Sequence, residues 1–469
     1  MLSPVANQPE KITQKGGGNR GQAQHVLGAG QIGQADEASL PHYCEPRSSP
    51  RSTGRLPLSA NQGPARVTVL GMGGTIAMTR AAGGGVAPAL SAAELVAAVP
   101  GLSEVAADIE VIDVRRLPGA SLTLDDLRDL YVAAQDAYAA GADAVIVTQG
   151  TDTIEETAYL LDLWYGGAQP LVVTGAMRNP AQAGHDGPAN LLAAICTAIA
   201  PRARNRGVMV VIADQIHAAA RVRKTHATSV CAFTSPNSGP LGQLVEGRPW
   251  FAGPPGYRFN VPLPQPDAQH DVGLVVVGLG DQGELLRGIG DRLDGLVVAG
   301  MGVGHVPAPL APVLQDIAAK IPVVLATRTG AGPVLTATYA FPGSERDLHD
   351  RGLIPAGLLD PLKARILLLA ALRAGASRDA IAQSFAVAGG YADPDPVAAA
   401  VTVRLPEGPA PAVRGSRRPP RCRNSSVPAS QPRRARLARI PAPRCPPSRT
   451  APQVRASWRR HLLRSRRGR

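Results

Sequence analysis

Long hydrophobic runs are missing from this chain of 469 residues. No segment approaches the roughly 20 apolar residues that a membrane-spanning helix needs, which excludes that class of membrane protein. No apolar run follows the opening MLSPVANQPEK, so no signal peptide is expected. The sequence therefore predicts a cytoplasmic protein without a membrane partner.

Cysteine is also scarce, with five residues, of which only Cys196 and Cys231 lie in the part with apolar periodicity. Two such cysteines make neither a disulfide framework nor a paired metal motif. The histidines of this part lack metal-ligand spacing, and we expect structural roles for His185, His217, His226 and His305. Nothing in the sequence calls for a metal or another cofactor.

Acidic residues are absent from one end of the chain. Residues 414–469 contain 18 arginines and no lysine, Asp or Glu, so without them the formal net charge changes from +13 to −5. A strongly basic balance usually suggests a nucleic-acid partner. Here it belongs to one terminal segment, whose only aromatic residue for base stacking is Trp458. We therefore expect no nucleic-acid partner, and an arm for nucleic acids or acidic surfaces is the alternative.

Both ends of the chain mix Pro, Ser, Gly, Gln and charge without apolar periodicity. Such segments bury too little apolar surface to offset the entropy lost on ordering. We expect a disordered extension over residues 1–63 and a basic Arg/Pro-rich disordered tail over residues 396–469.

Between these ends, strand-like runs alternate with helical ones. Short β-branched runs, such as VTVL from Val67 and DAVIVT from Asp143, suit a sheet that is buried on both faces. Ser91 with Glu94 predicts a capping box at the start of a helix. The alternation predicts an α/β fold, with a larger, doubly wound, mostly parallel domain over residues 64–260.

A proline-rich stretch, VPLPQPDAQ, follows this block and predicts a linker over residues 261–270. The alternation then resumes on a smaller scale, with VGLVVVG from Val272 and PVVLAT from Pro322. The sequence therefore predicts a second, smaller C-terminal α/β domain over residues 271–395.

Glycine and threonine follow two of the predicted strands, in GMGGTIA (residues 71–77) and TQGTDTIEE (residues 148–156). Open parallel sheets bind ligands beyond the carboxyl ends of their strands, which is where Thr75, Thr151 and Asp152 fall. Two hydroxyls, a carboxylate and a nearby lysine suit nucleophilic cleavage of an amide. For a single turn, capping of the following helix is the alternative.

A nucleotide-binding motif is a further hypothesis, of another class. GLGDQG (residues 278–283) matches GxGxxG after a strand, and would suggest a dinucleotide-binding oxidoreductase. The acid of that fingerprint should end the next strand, whereas Asp294 precedes it. We interpret the match as coincidental.

Five segments together resemble one family, the bacterial-type L-asparaginases, which also hydrolyse glutamine to varying degrees. The resemblance covers roughly residues 66–390. It is carried by GGTIA (73–77), TQGTDTIEETAYLLDL (148–163), TGAMRNPAQAGHDGPANL (174–191), RKTHATSVCAF (223–233) and DPLKARILLLAAL (360–372).

This resemblance implies hydrolysis of L-asparagine to L-aspartate and ammonia through an acyl-enzyme on Thr75. It also implies that Lys224 and Asp152 polarise a second threonine, Thr151. Side activity on glutamine belongs to the same expectation. So does a homo-oligomer, dimer or tetramer, with sites near the clefts between subunits.

The resemblance further implies how the substrate is bound. Asp152 would pair with the α-ammonium group, and backbone amides near Gly150 and Thr151 would bind the α-carboxylate. Amides of the glycine-rich turns or of Ala176 would stabilise the oxyanion.

Three departures from the family pattern limit these expectations. The loop after Thr75 lacks the tyrosine of the secreted branch. A serine that contacts the substrate carboxylate in relatives aligns with Gly119, which leaves Ser121 as a substitute. The acid that a neighbouring subunit contributes in relatives aligns with Glu345, for which a solvated loop charge is the alternative.

A rival function exists within the same fold. The amidase subunit of a tRNA-dependent amidotransferase would share the motifs and would give the basic tail a purpose.

Overall fold

The computed structural model describes residues 63–392, except residues 75, 77, 81–85, 89 and 266–267. Thr75, most of the extension predicted over residues 1–63, and the tail predicted over residues 396–469 lie outside the described residues. Their assignments stay predictions.

The described chain contains a mostly parallel sheet of eight strands, a parallel sheet of four strands and two short antiparallel ribbons. The strands are β1 Ala65–Gly71, β2 Met78–Arg80, β3 Val86–Pro88, β4 Ala107–Asp113, β5 Ala144–Thr148, β6 Leu171–Thr174, β7 Val208–Ile212, β8 Gln215–Ala218, β9 Arg223–Lys224, β10 Phe233–Thr234, β11 Gly242–Val245, β12 Arg248–Phe251, β13 Val272–Val276, β14 Gly295–Gly300, β15 Val323–Thr327 and β16 Ile354–Pro355. The helices are α1 Ala92–Ala97, α2 Leu124–Ala139, α3 Ile154–Trp164, α4 Gly187–Ala198, α5 Leu310–Ala318, α6 Glu345–Asp350, α7 Pro361–Arg373 and α8 Arg378–Ala388.

The larger sheet has eight strands in the order β12-β11-β8-β7-β6-β5-β1-β4. Strands β4, β1, β5, β6 and β7 pair in parallel, while β8, β11 and β12 extend the β7 edge in antiparallel pairs. Every residue of β5, β6 and β7 is buried, because helices cover both faces and the β-branched side chains fill both cores. The predicted doubly wound, mostly parallel sheet is confirmed.

The helix start predicted at Ser91 is confirmed, and α2 and α4 also begin directly after polar N-cap residues. Ser91 and Glu94 form the predicted capping box, and Thr123 forms another with Asp126. Asp186 occupies the N-cap position of α4 and accepts no backbone capping bond, but its Oδ2 accepts a hydrogen bond from Nδ2 of Asn190 in that helix at 3.0 Å. Its carboxylate also accepts the backbone N–H groups of Met177 and Arg178, which fixes the loop after β6.

The smaller sheet has four strands in the order β13-β14-β15-β16, all paired in parallel. The GLGDQG segment that follows β13 leads into two 3-10 turns, Glu284–Leu286 and Ile289–Asp291, before β14 begins. A dinucleotide fold would need an α-helix there to present its N-terminus to the pyrophosphate. The local structure therefore disagrees with the oxidoreductase hypothesis.

One hydrophobic core joins the two sheets. We call each sheet with its own helices a block, the larger around the eight-stranded sheet and the smaller around the four-stranded one. Helix α3 of the larger block packs against α7 of the smaller block, and one cluster of buried side chains runs from Leu160 and Leu161 to Leu367 and Phe385. We keep residues 261–270 as a proposed linker. No helix among the described residues is both long and apolar enough to cross a membrane.

Candidate active site

Three glycine backbones meet at the carboxyl end of the larger sheet. Gly74 follows β1 with φ of +91°, and a Cβ atom there would lie 2.1 Å from Cα of Gly150. A Cβ atom on Gly150 would lie 2.8 Å from the backbone nitrogen of Gly119. Because only glycine allows this approach and this φ angle, the sequence brings the turns after β1, β4 and β5 together here.

Thr151 lies at this meeting point with a cation beside its hydroxyl. The Lys224 ammonium lies 3.0 Å from Thr151 Oγ1 and 2.8 Å from Asp152 Oδ1. Thr151 is buried, the Lys224 side chain is 13% exposed, and that of Asp152 is 67% exposed. The arrangement couples a buried hydroxyl to a carboxylate that solvent or a ligand can reach.

The capping alternative does not describe this turn. Thr151 and Asp152 belong to a 3-10 turn before α3, and the N-cap residue Thr153 makes no side-chain capping bond. The Thr153 hydroxyl instead donates to the carbonyl of Gly119 at 2.9 Å and accepts from Gln149 Nε2 at 3.0 Å. Its bonds therefore tie the turn after β5 to the turn after β4.

A buried ion pair that the sequence reasoning missed lies behind Lys224. Lys363 of α7 is fully buried, and its ammonium lies 3.4 Å from Glu155 Oε2 and 3.1 Å from Asp360 Oδ2. Burial raises the pKa of Glu155, and the Lys363 ammonium opposes part of that rise. The available signal was a lysine within the apolar helix sequence LKARILLLAAL, since lysine is almost never fully buried unless paired.

The predicted substrate-binding backbone is partly assembled. Gly150 and Gly119 are in contact, as described above. Ala176 is fully buried and directly follows Gly175, where a Cβ atom would lie 3.3 Å from Thr151 Cγ2. Ser121 is exposed in the turn after β4. The structure thus brings Gly119, Gly150 and Ala176 to the surroundings of Thr151, and their binding roles stay predictions.

Glu345 lies in the smaller sheet's block and is 1% exposed, which does not fit the alternative of a solvated loop charge. Its Oε1 accepts the backbone N–H groups of Thr338 and Tyr339, and its Oε2 lies 3.1 Å from Nε2 of His305. Burial alone would raise the pKa of Glu345, but these hydrogen bonds outweigh it and hold that pKa below its usual value. Its contact with a substrate stays a prediction.

Arg178 lies two residues after Ala176, but its side chain bonds to its own loop. Its guanidinium donates to the carbonyls of Ala183 and Gly184 at 3.5 and 3.2 Å. It therefore closes its own loop, as expected for an arginine that ties a loop to carbonyl groups.

Burial also shifts the pKa values of an acid and a histidine in the larger block. Asp162, near the end of α3, accepts the backbone N–H of Val208 at 2.8 Å, and burial raises its pKa to about 6. His217 lies 2.9 Å from the Ser235 hydroxyl, and burial lowers its pKa to about 4.

Comparisons with known proteins agree on one family. The model "Asparaginase, N-terminal" matches residues 66–255, and "Glutaminase/Asparaginase C-terminal domain" matches residues 271–385. A probable L-asparaginase of Deinococcus radiodurans is 38% identical over 326 residues, which is 68% of this chain and 97% of that protein. A probable periplasmic L-asparaginase of Haemophilus influenzae is 31% identical over 315 residues, 65% of this chain and 88% of that protein. The crystal structure of a probable cytoplasmic L-asparaginase from Campylobacter jejuni matches with a TM-score of 0.60 and 32% identity, covering 68% of this chain and 99% of that one.

Proposed function

This chain belongs to the asparaginase family, and on that basis we propose that it is an L-asparaginase, which hydrolyses L-asparagine to L-aspartate and ammonia. The observation that carries the proposal is the contact of the Lys224 ammonium with both Thr151 Oγ1 and Asp152 Oδ1. A buried hydroxyl beside a lysine and an accessible carboxylate has the composition of an amide-cleaving site.

In the proposed reaction, the Thr75 hydroxyl attacks the side-chain amide carbon of asparagine. The hydroxyl proton passes to the amide nitrogen, the carbon–nitrogen bond breaks, ammonia leaves, and an ester links the aspartyl group to Thr75. Water, activated by Thr151 with Lys224 and Asp152, attacks this ester, which releases aspartate and restores the hydroxyl. Splitting one difficult displacement into two easier ones is the gain of covalent catalysis.

The substrate contacts form part of the same proposal. The exposed carboxylate of Asp152 would pair with the α-ammonium group, and the amides of Gly150 and Thr151 would bind the α-carboxylate. The amide of Ala176 would donate to the oxyanion, because donors fixed in a buried turn need no reorganisation during the reaction. Gly119, Ser121 and Glu345 complete the proposed binding set.

The test of this function is ammonia release from L-asparagine and L-glutamine by the purified full chain, alongside a Thr75→Ala variant. We expect turnover of asparagine by the native chain and its loss in the variant, with a lower rate on glutamine. Equal activity of both proteins would refute Thr75 as the nucleophile, and an inactive native chain would refute the function.

We also propose a homo-oligomer, dimer or tetramer, with sites near intersubunit clefts, and a cytoplasmic location. Tyr339 and Phe341, next to the buried Glu345, are 43% and 45% exposed, which suits a surface that a partner subunit covers. Light scattering coupled to size-exclusion chromatography would test the assembly, and a monomer at full activity would refute it.

A further inference from the structure

The strand that carries Lys224 has little support from its own sheet. Strand β9 contains only Arg223 and Lys224, and it pairs with the two residues of β10. A two-stranded ladder of this length is marginal by itself. The position of the Lys224 ammonium therefore depends on other contacts to its backbone.

Those contacts come from the buried ion pair behind the site. The Lys363 ammonium donates a short hydrogen bond to the carbonyl of Val222, and Glu155 Oε1 accepts the backbone N–H of Lys224 at 3.4 Å. The two members of the pair therefore hold the backbone on both sides of Arg223. They reach it from the first turns of α3 and α7, which belong to different blocks of the molecule.

General stability does not explain this arrangement. A buried ion pair loses much of its Coulomb energy to desolvation, and well-packed apolar residues often replace such a pair without loss of stability. Lys363 is fully buried and Glu155 is 5% exposed, so both pay that desolvation cost. The ion pair makes directional hydrogen bonds to the backbone around Lys224, which an apolar pair could not make.

We propose that Glu155 and Lys363 are positioning residues that hold the Lys224 backbone so that its ammonium meets Thr151 and Asp152. Through Lys363, the smaller block takes part in aligning the site on the larger sheet. The kinetic consequence rests on the proposed function, whereas the structural consequence does not.

The decisive variant is the double substitution Glu155→Gln with Lys363→Met in the full chain. It removes both charges of the pair together, whereas Lys363→Met alone would leave the Glu155 carboxylate buried without its partner. Asp360, the other partner of the ammonium, keeps the backbone N–H groups of Leu362 and Lys363 as donors. We expect kcat on asparagine to fall about 10- to 100-fold, since small misplacements of a catalytic group can cost this much, while KM changes less. Asp162→Asn is the matched control, because it removes a buried carboxylate of the same helix without touching β9, and should keep the native kcat.

A crystal structure of the double variant provides the second readout. We expect the separation of Lys224 Nζ from Thr151 Oγ1 to exceed the native 3.0 Å. Native kcat together with native Lys224 geometry would overturn the inference. If the native chain does not hydrolyse asparagine, the proposed function fails, and the Lys224 geometry still decides the inference. If the double variant does not fold, Glu155→Gln alone takes the same two measurements, with the same outcomes for and against.

Discussion

The two sheets of this protein are both built on parallel strands, yet their carboxyl ends differ. In the larger sheet, β5 leads to Thr151, whose hydroxyl lies beside the Lys224 ammonium. In the smaller sheet, β15 ends at Thr327, whose hydroxyl donates to the carbonyl of Gly302. Both strands deliver a buried threonine to the edge where α/β sheets bind ligands. The fold thus provides the same location in both sheets, and we propose that the Lys224 ammonium is what makes the Thr151 hydroxyl reactive.

The largest difference between the two sheets is expected when each hydroxyl is removed in turn. Thr151→Val should lower kcat on asparagine by about 10³-fold, within the range by which a positioned proton-transfer group accelerates a reaction. Thr327→Val should keep the native kcat and lose about 1 to 3 kcal/mol of unfolding free energy, because its hydroxyl makes only structural hydrogen bonds, to the Gly302 carbonyl and to the hydroxyl and backbone N–H of Thr329. Steady-state kinetics and urea unfolding measure the two effects. Similar kinetic losses in both variants would remove the distinction between the two sheets.

A second comparison concerns glycines in the turns that follow β1 and β14. Both Gly74 and Gly302 have positive φ, at +91° and +51°, but only the Cβ position of Gly74 collides with another backbone. Gly302→Ala should cost about 1 kcal/mol of unfolding free energy from the left-handed conformation alone. Gly74→Ala adds the clash with Gly150 and should cost at least about 3 kcal/mol, together with most of the activity. Chemical denaturation of both variants tests this order, and equal costs would contradict it.

A third comparison uses pH, because one buried acid in each block has its pKa shifted in opposite directions. The pKa of Asp162 is raised to about 6, so its protonated form favours the fold, and this contribution is lost as pH rises from about 4 to about 6. Over that pH interval, the unfolding free energy of Asp162→Asn should therefore rise by about 3 kcal/mol relative to that of the native protein. Unfolding experiments at several pH values provide the measurement, and a difference that does not change with pH would contradict the assignment.

Glu345 should behave in the opposite way. Its pKa is held below the usual value, so its ionised form stabilises the fold above the pKa of the unfolded chain, and the contribution is lost as pH falls through the folded pKa. The penalty of Glu345→Gln should accordingly be largest near neutral pH and shrink in acid. A penalty that grows in acid would reverse the sign and refute the hydrogen-bonded carboxylate.

The smallest effect is expected from a truncation after residue 400, outside both sheets. Asparagine turnover should not change, and the full chain should not bind tRNA at physiological salt, because the basic charge belongs to a segment that the proposed chemistry does not use. Turnover and filter binding of tRNA measure the two properties. Loss of turnover together with tight tRNA binding by the full chain would favour the amidotransferase rival.

Much of the fold followed from the sequence, for reasons visible in particular elements. The strands β1, β5, β6 and β7 are short β-branched runs buried on both faces, which few other structures can accommodate. Strands β8, β11 and β12 were not predicted. Their short, mixed exposure patterns produce no apolar run, and only pairing at the sheet edge orders them.

The candidate site was predicted less completely. Thr151 and Asp152 followed from their place at a strand end, and Lys224 came from the resemblance. The Lys224 ammonium does lie within hydrogen-bonding distance of both. The ion pair between Glu155 and Lys363 was not predicted, because it joins residues 208 positions apart, and no local pattern encodes such a contact. Long-range pairing of this kind becomes visible only when the helices pack.

We propose that the Lys224 ammonium makes the carboxyl end of the larger sheet an amide-cleaving site. Ammonia release from L-asparagine by the full native chain, by Lys224→Met and by Lys320→Met tests it most directly. Lys320 provides the matched control, since it is a lysine of the smaller block that pairs with Asp291 at 2.6 Å on the surface. The native chain and Lys320→Met should release ammonia at the same rate, and Lys224→Met should be slower by about 10³-fold. Native activity in Lys224→Met would contradict this role of the Lys224 ammonium.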